Sequence, residues 1–147
     1  MMRRIALLLA LLFFAAAAWV RLAPEDAARW HVDPETAPDP DVGHGRSRYA
    51  DGPVYPVPPA EALAALDAIA LAEPRTERVA GSPEDGRITW VQRSRLMGYP
   101  DYVTAEARAA DGGAQVSILS RQRFGKGDVG VNAARVSRWR DALSARF

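Results

Sequence analysis

YVTAEARAADGGAQVSILSRQRFGKGDVG, residues 102–130, is the stretch on which the fold turns. Its first half alternates. Val103, Ala105, Ala107 and Ala109 face one way and Thr104, Glu106 and Arg108 the other, the period of a half-buried strand. Asp111-Gly112-Gly113 is a tight-turn signal, so AQVSILSRQRF returns antiparallel as the second arm of a hairpin. The stretch then closes on GKGDVG, Gly125 to Gly130, which spells G-x-G-x-x-G, the lettering of a dinucleotide-binding turn. That fingerprint requires a parallel βαβ unit and an acidic residue about 20 positions further on. Only 17 residues follow Gly130, and the preceding strand belongs to a hairpin, so no dinucleotide site is expected. No G-K-[ST] follows either, which removes the P-loop reading.

Two further strands precede the hairpin. RTERVAGS is weak and is turned back by SPEDG; RITWVQRSRL places Ile88 and Trp90 opposite Thr89 and Val91. A helix is expected from Pro58-Pro59, with Glu61 at its positive end and Leu63, Leu66, Ile69 and Ala70 on one face. A last helix runs from Asn132, read as its N-cap, to the C-terminus, with Val136, Trp139, Leu143 and Phe147 as its apolar stripe. The order α, four β, α argues an α+β fold: a small two-layer domain, residues 55–147, of four antiparallel strands with both helices on one face.

Ahead of it, MMRRIALLLALLFFAAAAWV holds 16 unbroken apolar residues, Ile5 to Val20, behind a basic start. As a helix that run spans about 24 Å, against a hydrocarbon core of about 30 Å. A cleaved signal would use the Ala15–Ala18 run as its cleavage site. An uncleaved anchor over residues 1–22 would keep Arg3 and Arg4 cytoplasmic, set Trp19 at the far interface and let Arg21 snorkel. The anchor is preferred, because no polar segment precedes the alanines. Either way the remainder is exported. The expectation is a single-pass protein of a bacterial inner membrane with its C-terminal domain in the periplasm, or a secreted one.

Residues 23–54 read as a Pro-rich flexible spacer. Trp30, Tyr49, Val54 and Tyr55 are exceptions to its polarity, and Gly52–Pro59 is placed along the domain as an edge segment. His31 with Asp33, and His44 with Asp39 and Asp41, lie in Pro-broken chain without groups to orient them, so no metal site is expected. No cofactor is implied. The chain has no Cys, which excludes disulfides, thiolate metal sites and Cys nucleophiles.

Charge is uneven. Residues 1–85 carry 8 Arg/Lys against 13 Asp/Glu, and residues 86–147 carry 11 against 5. Arg93 with Arg95, and Arg121 with Arg123, fall on one side of their strands. Around the glycine corner stand Lys126, Gly127 and Arg135, with backbone N–H groups at a helix start. Together with Asn132 these residues form a candidate anion site, since guanidinium groups take carboxylate or phosphate in bidentate fashion. The glycines also have a purely structural role, for Gly125, Gly127 and Gly130 allow the backbone of a tight corner and Asp128 can cap its N–H groups.

QRFGKGDVGVNAARV resembles the signature of the domain of unknown function 1499 family, approximately S-R-x-G-x-S-D-x-G-x-N-x-x-R-V, through Arg123, Gly125, Asp128, Gly130, Asn132, Arg135 and Val136. RSRLMGYPDY is similar to the family's R-S-x-x-x-G-[FY]-x-D-[DE] segment through Arg93, Ser94, Gly98, Tyr99 and Asp101. The chain departs from the pattern at Tyr102, Gln122 and Leu119. The resemblance covers residues 55–145 and implies a small exported or membrane-associated domain with no established activity.

The functional expectation is therefore non-catalytic binding of an anionic small molecule, a lipid headgroup or an envelope partner. An alternative is a hydrolase-like enzyme using Asp101 and Asp128 as acid and base, opposed by the simpler reading that each carboxylate orders its own turn or pairs with Arg93 or Arg135. A third is a structural docking domain, which would need an exposed apolar patch. Nucleic acid is not expected as a partner, since the charge is modest and Trp90 and Trp139 fit core positions.

Overall fold

The computed structural model describes residues 2–38, 46–49, 52–125 and 127–147. Its elements in order are α1 (Met2–Leu22), a 3-10 turn (Ala27–Arg29), β1 (Arg46–Tyr49), β2 (Val54–Tyr55), α2 (Pro59–Ala72), β3 (Thr76–Ser82), β4 (Arg87–Arg93), β5 (Pro100–Ala110), β6 (Gly113–Gln122) and α3 (Val131–Ser144). The fold is α+β, as expected, but the antiparallel sheet has six strands rather than four, in the order β1-β6-β5-β4-β3 with β2 also on β6.

The two added strands share one edge. Tyr49 stands opposite Ile118 and Val54 opposite Gln115, so five steps on the edge chain answer three on β6. Their shortness and this register break explain why no period-2 pattern announces them. The hairpin itself follows its sequence: β5 and β6 pair from Asp101↔Gln122 to Ala110↔Gly113.

Alternation sends Ile88 and Trp90, then Val103, Ala105 and Ala107, then Ala114, Val116 and Ile118 to one face. Leu63, Leu66 and Ala70 of α2 and Val136, Trp139 and Leu143 of α3 close over that face. The Trp90 and Trp139 rings meet edge-on at 5.5 Å, a favoured arrangement for two large rings sharing one core. Asp67 of α2 is buried beside them, where it accepts from Trp90 Nε1 at 2.8 Å and pairs with Arg78. Phe147 lies beyond the end of α3 and is exposed, its ring 6.1 Å from that of Tyr55.

The opposite face is covered by the chain ahead of the domain. Residues 23–38, expected as spacer, lie across it. Trp30 is buried, stacked on Tyr102 with ring centres 4.3 Å apart and a 12° tilt. The Trp30 carbonyl accepts from Thr104 Oγ1 at 2.7 Å, and His31 Nδ1 meets Thr89 Oγ1 at 2.9 Å. Asp33 and Glu35 pair with Arg108, and Glu25 with Arg123. The segment is polar and proline-rich because it binds through carbonyls and carboxylates to a polar sheet face, with one indole as its apolar anchor. His44, Asp39 and Asp41 lie outside the described residues.

α1 is 21 residues long with a mean hydropathy of 2.4 across its apolar window, long and apolar enough to span a membrane or to serve as a signal peptide. Its C-terminal turn touches the domain: Arg21 donates to the carbonyls of Leu96, at 2.9 Å, and Met97, at 3.3 Å.

Candidate functional site

Both signature segments end up at one end of the sheet, where β4 and β6 stop, β5 begins and α1 arrives. The β4–β5 connection is a self-tied turn. Tyr99 N donates to Ser94 Oγ and Ser94 N to the Tyr99 carbonyl, both at 2.9 Å, and Gly98 takes φ +73, which favours glycine. An added Cβ on Gly98 would lie 2.9 Å from Arg21 Cγ, so this glycine also lets α1 approach.

The β6–α3 corner closes on a carboxylate. Asp128 accepts from Gly130 N at 3.1 Å and from Asn132 N at 2.6 Å. Burial opposes ionisation of Asp128, but the N–H groups of Asn132 and Gly130 outweigh it and hold its carboxyl below the ordinary range. The N-cap of α3 is Gly130, in left-handed conformation, rather than Asn132. Asn132 is fully buried within the first turn of α3, where its Oδ1 accepts from Ser120 Oγ and, at 2.6 Å, from Arg135 Nη1.

Arg135 is the hub beneath the corner. It donates to Asn132, Ser120 and Gln92 and forms an ion pair with Asp101 at 2.9 Å, its side chain only 4% exposed. Burial pushes the Asp101 carboxyl up, outweighing the pull of Arg135, and the negative Asp128 adds to the rise.

Over this hub lies a cleft of about 490 Å³ lined by Val20 of α1, Ser94, Tyr99, Asp101, Gln122, Phe124 and residues of the corner. Asp101 and Asp128 share it, pushed in opposite directions. An anion entering it would meet both carboxylates and would find the N–H groups of Gly130 and Asn132 already bonded to Asp128. The chain's own carboxylate occupies the place that an anion takes at a helix start.

A second cavity, of about 330 Å³, lies on the other side of Ser94 and is lined by Arg21, Arg75, Glu77, Arg93, Ser94, Arg95 and Gly98. Among the described residues none of these four arginines has a carboxylate within ion-pair distance. Their hydrogen bonds go to carbonyls: Arg75 Nε to Arg93 O at 3.0 Å, Arg93 Nη1 to Gly98 O at 3.4 Å, and Arg21 to the 96–97 turn. Guanidinium N–H groups are left over at each.

The predicted site residues thus divide. Arg93 and Arg95 meet in the basic cavity. Arg121 and Arg123 do lie opposite the helices, but not on an open arginine face. Arg121 is covered by Trp30, its guanidinium 4.9 Å from the ring and donating to the Trp30 carbonyl at 2.8 Å. Burial, then repulsion from Arg29 and Arg48, lowers its pKa to about 10. Arg123 pairs with Glu25 and donates to the carbonyls of Ala23 and Pro24. Asn132 and Arg135 belong to the buried hub, Gly127 lines the cleft, and Lys126 lies outside the described residues. Arg21 and Arg75 were missed, since one reads as a snorkelling residue and the other as the start of a weak strand. Among the described residues no group of three or more His, Cys, Asp or Glu could hold a metal ion.

A family model described as "Protein of unknown function (DUF1499)" matches residues 27–143, most of the chain and including the segment over the outer sheet face. No curated protein matches. Among solved structures, that of Ara h 8.0201 is similar over 69% of this chain and 97% of its own, at 15% identity and a TM-score of 0.43.

Proposed function

The chain belongs to the DUF1499 family of proteins of unknown function, and we propose that it is a membrane-anchored, non-catalytic binding domain whose basic cavity takes an anionic group of the phosphate or carboxylate class. The observation that carries this reading is the gathering of Arg21, Arg75, Arg93 and Arg95 around one cavity, with Glu77 as its lining carboxylate. Guanidinium groups held without carboxylate partners are matched to planar or tetrahedral oxyanions. The length and apolarity of α1 support the anchor, and the basic pair Arg3 and Arg4 at its start supports a domain on the periplasmic side.

A hydrolase-like use of Asp101 and Asp128 has one observation in its favour, the opposite displacement of two carboxyls in one cleft. Both oxygens of Asp128 already accept backbone N–H groups, however, and Asp101 is committed to Arg135. Structural duty accounts for both.

The test is calorimetric titration of the full-length protein, in zwitterionic nanodiscs, with inorganic phosphate. Binding that disappears in Arg93→Gln/Arg95→Gln supports the reading. A second arm uses nanodiscs containing phosphatidylglycerol: if phosphate no longer titrates there, the lipid headgroup is the occupant, and if it still does, the ligand is a soluble anion. Absence of phosphate binding in the zwitterionic arm sinks the proposal.

A further inference from the structure

The most exposed large apolar side chains outside α1 are at this same end of the domain. Leu96 is 81% exposed and Val129 104%, with Val131 and Tyr99 beside them at 50% and 41%. Val54, Leu71, Val79 and Phe147, the others outside α1 among the described residues, stay between 36% and 45%. Val129 is also out of place conformationally. Its φ is +52, a backbone that β-branched residues rarely adopt, and complete exposure gives it nothing from the fold in exchange. A fully exposed, strained apolar tip points to a contact outside the chain.

α1 identifies that contact. Arg21, at its last turn, holds the carbonyl of Leu96 itself, and Val20 walls the cleft together with Tyr99, Phe124 and Val131. The Tyr99 and Phe124 rings, 6.3 Å apart, tie the two loops together. Apolar tips therefore project from a surface that also bears Arg21, Arg75, Arg93 and Arg95. Apolar side chains among cations are the composition of surfaces that lie in a headgroup layer.

We infer that the end of the domain next to α1 is seated in the bilayer interface, with Leu96 and Val129 reaching the acyl boundary. The inference rests on the reading of α1 as a membrane span. It makes the domain an interfacial one, and it sets the basic cavity at headgroup level.

The chain has no Cys, so single-cysteine spin labels need no background removal. Leu96→Cys, Val129→Cys, Leu9→Cys in α1 and Asp111→Cys at the far hairpin tip are labelled in the full-length protein in nanodiscs. Collision with oxygen and with a nickel chelate then reports lipid or water at each label. The expected result is an oxygen-to-nickel accessibility ratio at 96 and 129 several-fold above that at 111 and approaching that at 9. Aqueous ratios at 96 and 129 with a lipid ratio at 9 overturn this inference and leave the anchor standing. Aqueous ratios at all four positions overturn both. Protection of 96 and 129 from both reagents also overturns it, and assigns the tips to a protein partner.

Discussion

Arg135 and Asp101 stand 2.9 Å apart beneath the first turn of α3, whereas Arg121, also largely buried, faces no carboxylate among the described residues. Two arginines that look alike in sequence therefore differ in what their removal should do. Arg135→Met leaves Asp101 buried without its partner and is expected to cost about 3–5 kcal/mol. Arg121→Met removes a buried charge that no carboxylate among the described residues offsets, gives up one hydrogen bond to the Trp30 carbonyl and keeps a stack on Trp30, so it should be neutral to about 1 kcal/mol stabilising. Urea unfolding of both variants checks the contrast; equal losses would show that Arg121 also has an ionic role.

Acid should act on two carboxylates in opposite senses. At Asp33 burial opposes ionisation, but N–H groups of Glu35 and Thr36 and the Arg108 guanidinium lower its pKa to about 2, from 3.8. A depressed folded value means stability present above pH 3.8 and lost as pH falls toward 2. The stability difference between wild type and Asp33→Asn should shrink on acidification. Asp101 is raised, so the folded state holds its proton above the unfolded value, and its contribution declines as pH rises through the raised value. Against Asp101→Asn, wild type should weaken toward neutral pH. Parallel slopes for the two variants in urea midpoints between pH 2.5 and 6 would refute this.

Trp30→Ala should cost about 3–5 kcal/mol, the usual loss for deleting a buried indole. It should also release residues 24–38 from the sheet, because the remaining attachments are polar. Limited proteolysis within that segment, slow in the wild type and fast in the variant, is the readout. A free spacer would be cut equally fast in both.

Val129→Asn removes a β-branched side chain from left-handed backbone and supplies one that tolerates it. A gain of about 1 kcal/mol in unfolding stability is expected, and the same change should weaken seating on lipid. Stability and membrane contact would then move in opposite directions at one residue, measurable by urea unfolding and by quenching from brominated lipid.

The hairpin, both domain helices and the core were legible because each is written in a period: two for β5 and β6, and the i, i+3, i+7 spacing for Val136, Trp139 and Leu143. The glycine corner was legible too, as architecture, once the absence of a following strand had removed the dinucleotide reading. What escaped was what lies on top of what. Alternation put Arg121 and Arg123 on the correct face, but nothing in Ala23–Pro38 announces that a proline-rich chain will cover them through Trp30 and Glu25. Asn132 has the chemistry of an N-cap, yet Asp128, two residues before the actual cap, holds the N–H groups and leaves Asn132 to the interior. Arg21 and Arg75 belong to different elements, and only tertiary contact brings them to Arg93 and Arg95.

The clamp on residues 23 and 24 bears on how this protein meets anything else. Four residues separate the end of α1 from the 3-10 turn on the sheet, five backbone steps that reach at most about 18 Å, and Arg123 holds two of the tether's carbonyls. With α1 in a bilayer, such a domain cannot reach outward. It samples a shell no deeper than its own thickness, and whatever it recognises must come to that surface. Occupancy would then follow density per unit area of membrane rather than concentration in the surrounding volume, and encounters would be set by lateral diffusion.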